Sequence, residues 1–159
     1  KPIDISLWKF LRMRPQNFPT LRLAQFAALI VNSNHLFSKI LVMKDYRNAH
    51  LLFEELAVNP FWKTHYHFNK KAENVSLQLG KTSIQNIIIN TVSLFLFAYG
   101  KAIAQENFVT RSFYLLENTV TEQNAVIKQY QEAGVTVKNA FYSQAILQLK
   151  KKYCNEKNA

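Results

Sequence analysis

The side chains best placed to do chemistry lie in the run Arg12-Met13-Arg14-Pro15-Gln16-Asn17-Phe18-Pro19-Thr20-Leu21-Arg22. Three arginines gather on a turn stiffened by two prolines, and the chain then enters a helix. The first N–H groups of a helix are unpaired and carry positive potential, and arginine forks match phosphate or carboxylate oxygens. Arg12, Arg14 and Arg22 are therefore the candidate anion-binding residues. The competing reading is architectural. The same guanidinium groups can tie the turn to carbonyls, pair with Glu54 or Glu55, and stack on Trp8 or Phe18.

His65 and His67, beside Trp62 and Tyr66, form the second candidate. In extended backbone, residues two apart face the same side, so both imidazoles can reach one metal ion. Such a site needs further ligands from elsewhere, and Lys63, Lys70 and Lys71 oppose a cation. The alternative is that Trp62, Tyr66 and Phe68 pack the loop while the histidines hydrogen-bond or face water.

Other polar positions say less. His50 and Glu54, four apart on one helix, suit a side-chain pair. Asn86 and Asn90 share a stripe of an apolar helix, where a buried Asn90 would bond a backbone group of a neighbouring element. Gly-rich phosphate loops, Gly-x-Ser-x-Gly and His-Glu-x-x-His are missing from the sequence. No catalytic residue and no cofactor is implied, and no reaction is expected of this segment alone.

The elements that must position these residues read as helices. Only 3 glycines and 4 prolines punctuate the chain, too few for an all-β domain with many tight turns. Helices are expected from about 20 to 31, through 41 after a cap at Ser33 or Asn34, and from Asp45 to about 57. Asn59-Pro60 ends the last of these, and 60–81 forms the longest irregular stretch. Thr82 with Gln85 makes a capping box that opens a helix over 83–99, with Gly100 as its left-handed terminator. Helical segments near 101–107 and 111–118 follow. A second capping box, Thr119 with Glu122, precedes a helix ending at Ala133 and Gly134. The last helix, about 137–153, carries Phe141, Ala145, Leu149 and Tyr153 at four-residue spacing. The fold class is thus all-α, an irregular domain of about six or seven helices around a central apolar helix at 83–99. No linker divides the chain, so residues 1–159 read as one helical domain.

Net charge is +10, with 12 basic and 5 acidic residues in 1–81 against 8 and 5 in 82–159. A basic excess weighted to the first half attracts nucleic acid, phosphates or an acidic protein surface. The single cysteine, Cys154, excludes an intramolecular disulfide framework and suits a reducing, cytoplasmic setting. The longest apolar stretch, Ile87 to Tyr99, is shorter than the roughly 18 to 20 residues that span a bilayer. It reads as a buried helix, with no membrane contact expected.

Several runs resemble the uncharacterised bacterial family catalogued as domain of unknown function 2851. They are Arg12 to Ala24, Trp62 to Tyr66, Asn86 to Val92 with Leu96 to Gly100, and Ser143-Gln144 through Tyr153-Cys154. The resemblance implies the C-terminal part of a protein a few hundred residues long. It also implies a β-rich, faintly nuclease-like upstream region, and a cysteine-rich tail of which Cys154 would be the first member. Two functions stay open, a helical scaffold or interaction domain that supports this upstream region, or a nucleic-acid or phosphate-binding module attached to it; a third, a catalytic domain using His65 and His67, requires a bound metal.

Overall fold

The computed structural model describes residues 4, 7–11 and 13–154. Within them the protein is mainly α-helical. Seven helices, α1 (Pro19–Ser33), α2 (Leu36–Val42), α3 (Tyr46–Glu54), α4 (Lys81–Ala102), α5 (Glu106–Glu117), α6 (Ala125–Glu132) and α7 (Ala140–Leu149), accompany one small antiparallel ribbon. The ribbon joins β1 (His65–His67) to β2 (Lys70–Lys71), and α7 continues into a wider turn at Lys150–Cys154.

The chain divides into two compact units, residues 1–39 with 51–80 and residues 40–50 with 81–159. Because the second unit takes a segment from the middle of the chain, the division runs through α2 and α3. That leaves no linker composition for sequence to register. It also redistributes the charge. The first unit holds nine Lys/Arg against four Asp/Glu and the second eleven against six, an excess of five in each.

In the first unit, α1 buries Leu21, Ala28 and Leu29, and the loop 56–80 contributes Leu56, Val58, Trp62 and Val75. Glutamines fasten that loop. Buried Gln25 donates to the Leu77 carbonyl at 3.0 Å, and Gln78 both accepts from the Leu56 N–H and donates to its carbonyl. Asn34 ends α1 in the left-handed region, and His35 follows with positive φ. These two residues separate α1 from α2, where a Ser33 or Asn34 cap was expected.

The second unit is built on α4. Ile84, Ile88, Ile89, Val92 and Leu96 on this helix are almost wholly buried, and it packs along α5 through Val109, Leu115 and Leu116. The helix runs 22 residues, longer than the apolar stretch in the sequence suggests, because Lys81 and Thr82 already lie inside its first turn. By length and composition it could therefore cross a membrane, which corrects the expectation from residues 87–99. A core helix of a protein passes the same test, and 39% of the most apolar window of α4 is buried.

Gly100 does not terminate α4. The terminator is Ala104, at φ +54°, with the Gln105 N–H returning to the Gly100 carbonyl and the Ala104 N–H to that of Lys101. This is the Schellman arrangement, displaced four residues from the glycine. Gly100 serves packing instead: a Cβ there would stand 2.9 Å from the Gln105 carbonyl oxygen, Phe108 Cβ and Val109 Cγ2. Gly134, at φ +89°, ends α6 by the same pair of hydrogen bonds, as expected.

The expected segment near 111–118 lies in a longer helix, α5, that begins at Glu106, while of the segment near 101–107 the first two residues end α4. The second capping box is also replaced. The Thr119 hydroxyl donates backward to the Leu115 carbonyl, and Glu122 accepts from Asn90 at 3.0 Å and Gln144 at 2.6 Å. Asn124 caps α6 and Asn139 caps α7, each through its side-chain oxygen. Asn90 is thus exposed and bonded to a carboxylate, not buried on a backbone group.

Candidate functional site

Proline geometry shapes the turn. Arg14 and Phe18 each precede a proline and adopt extended backbone; between them Pro15–Asn17 forms one 3-10 turn. Pro19 then starts α1, at a position where its missing N–H removes no helical bond. Arg22, one turn into the helix, is half-buried and donates to the Asn17 side-chain oxygen at 2.6 Å and to Gln25 Oε1 at 3.0 Å. Burial pushes its guanidinium pKa down from the ordinary value. Arg22 thus holds the turn to the helix. Arg14 is exposed beside it, and Arg12 lies outside the described residues.

The histidines are carried by the ribbon. His65 pairs across it with Lys71 and His67 with Lys70, so β1 has an extra residue, Tyr66, between the two pairs. That bulge breaks the simple alternation that would aim both imidazoles at one point. His65 stacks on Phe61, with ring centres 4.0 Å apart, and its Nδ1 is 3.0 Å from both the Phe61 carbonyl and the Thr64 hydroxyl. His67 lies against Phe10 at 4.7 Å and accepts from the Asn69 N–H at 3.2 Å. Each imidazole also has a lysine across the ribbon. Among the described residues no group of three or more His, Cys, Asp or Glu side chains could hold a metal ion.

Turn and ribbon meet within the first unit. The Thr20 hydroxyl donates to the Tyr66 carbonyl, Phe18 lies 6.3 Å from the Tyr66 ring, and Phe10 bridges Phe18 and His67. The two irregular segments that stand out in the sequence are therefore one surface feature. Aromatic packing and a hydroxyl join them, and Arg22 holds the turn to the helix.

The remaining sequence candidates are separate. His50 contacts the Tyr46 ring at 5.8 Å. Cys154 is exposed, and its sulfur lies 3.8 Å from the Tyr130 hydroxyl, whose pKa that contact pushes up.

A second feature, in the second unit, escaped the sequence reading. On α7 the buried positions are Ala140, Ser143 and Ile146, while Phe141, Ala145 and Leu149, and Tyr153 in the wider turn that follows, are all exposed. Small Ala140 and Ser143 let the helix approach closely, and the Ala140 N–H bonds the Thr119 carbonyl. The large residues consequently face outward. Phe141 continues a row of exposed rings, 5.8 Å from Phe113, which is 5.7 Å from Phe97 on α4. The four-residue spacing was the available signal; only packing says which stripe is inside.

The family described as Protein of unknown function (DUF2851) matches residues 1–125 of the chain. No curated protein and no solved structure matches it at a significant level.

Proposed function

The chain belongs to the DUF2851 family, whose function is unknown, and on that footing we propose that it is a helical interaction domain. The observation that carries this reading is the outward apolar face of the second unit. It runs from Phe97 through Phe113 and Phe141 to Leu149 and Tyr153, with each side chain at least 37% exposed. Exposed aromatic and aliphatic surface of this kind is costly in water and is the usual centre of a protein–protein contact. The partner we favour is another protein surface, in first place an upstream region of the same polypeptide.

Replacing Phe113 by a photo-crosslinking phenylalanine analogue tests the proposal in cells. A crosslink from this position to a protein segment is expected, within the same polypeptide or to a separate chain as read by mass spectrometry of the joined peptides, and it should disappear when Phe141→Glu and Leu149→Glu are added. Because α4 also has the length and composition to cross a bilayer, vesicle co-sedimentation is the second arm. Vesicle binding lost on the same two substitutions, without a protein adduct, would replace the protein partner by a lipid surface.

A further inference from the structure

The ribbon of the first unit carries an inference independent of that apolar face. Lys63, Lys70 and Lys71 are exposed and make no ion pair among the described residues. The register sets Lys71 beside His65 on one face of the ribbon and Lys70 beside His67 on the other, since cross-strand partners share a face and successive residues alternate, so a flexible strand would have to follow the ribbon's edge to meet both. Along the chain aromatic residues alternate with these cations, in the order Phe61, Lys63, Phe68, Lys70. Phe61, with one face on His65, stays 41% exposed, and Phe68 at the ribbon's turn stays 57% exposed. Within 60–72 there is no Asp or Glu; Glu73 is the first.

We infer that this ribbon binds single-stranded nucleic acid, with Lys63, Lys70 and Lys71 on the phosphates and Phe61 and Phe68 as surfaces for unpaired bases. The combination selects the ligand. Ammonium groups alone would suit any polyanion, and exposed rings alone would suit any apolar surface. A chain of phosphates bearing unpaired planar bases satisfies both, whereas a duplex keeps its base faces stacked inside. An acidic protein surface would meet the lysines and leave the rings in water. The same lysines that favour a phosphate chain oppose a metal cation at His65 and His67.

Fluorescence anisotropy of the full chain with a labelled 15-nucleotide oligothymidylate tests the inference. A duplex of equal length and a polyglutamate peptide serve as competitors. The single strand should bind more tightly than either competitor. Its affinity should fall between 50 and 200 mM salt with a logarithmic slope of about −2, as expected for three phosphate contacts on a single strand. Phe68→Ala should weaken binding by about 5- to 100-fold, and Phe68→Tyr should restore it. Lys70→Glu with Lys71→Glu should remove binding, while Lys128→Glu with Lys138→Glu, in the equally basic second unit, should leave it within about twofold. Phe68 is exposed, so circular dichroism should show all variants folded. Absence of binding, equal affinity for the duplex or polyglutamate, an unaffected Phe68→Ala, or equal loss from the second-unit pair would each overturn the inference.

Discussion

Arg22 reaches back from the first turn of α1 to the Asn17 side-chain oxygen, at 2.6 Å. The bond closes the proline-bracketed turn onto the helix it feeds. It also separates the roles of two arginines that sequence places together, since Arg14 on the same turn is exposed. Arg22→Ala should therefore destabilise the protein by about 1.5–3 kcal/mol, the range for hydrogen bonds to a charged group. Arg14→Ala should stay within about 0.5 kcal/mol of the parent. Urea unfolding measures both, and equal effects would refute this division of roles.

Gly100 and Ala104 should respond in opposite directions. Gly100→Ala sets a methyl 2.9 Å from backbone and core atoms of α5 and should cost about 1–3 kcal/mol. Ala104→Gly relieves a left-handed alanine and should stabilise by about 0.5–1 kcal/mol. Thermal melts of the two variants check the displaced helix terminus directly. A stabilising Gly100→Ala would mean that α4 and α5 pack less closely than described.

The caps offer a third check. Asn124→Ala and Asn139→Ala should each cost about 1 kcal/mol, while Thr121→Ala, outside any cap, should not cost as much through helix capping. Amide hydrogen exchange at Ile127 and Tyr142, the residues whose N–H groups these asparagines receive, would localise the loss. Unchanged protection at both amides would rule out the assignment.

Zinc supplies the fourth. With Lys71 across the ribbon from His65 and Lys70 across from His67, a divalent cation at either imidazole meets an ammonium group. Adding zinc should not raise the melting temperature, and a chelator should not lower it. A rise abolished by His65→Ala or His67→Ala would instead establish the metal site, completed by ligands outside the described residues.

Much of the helical content was readable because helix signals are local. Low glycine and proline content, Asp45 before α3, and Gly134 after α6 act over a few residues, so their chemistry is complete in the sequence. The signals misled where two local solutions competed. Thr119 and Glu122 have the spacing of a capping box, but Glu122 finds Asn90 and Gln144, residues 32 and 22 positions away. Gly100 has the position of a helix terminator, yet its hydrogen atom is needed where α5 crosses.

The sequence by itself determined a mainly helical, basic protein of the DUF2851 family, and it picked out the 12–22 and 60–81 segments as unusual. Only the tertiary structure decided that Thr20 and Tyr66 bring these segments together, that Arg22 serves the turn, and that Phe141 and Leu149 face outward. The physical reason is the same in each case. Composition and periodicity record what a residue prefers within its own turn of chain. Which of several apolar stripes is buried, and which partner a polar group meets, depends on distant elements whose approach is set by small residues such as Gly100, Ala140 and Ser143.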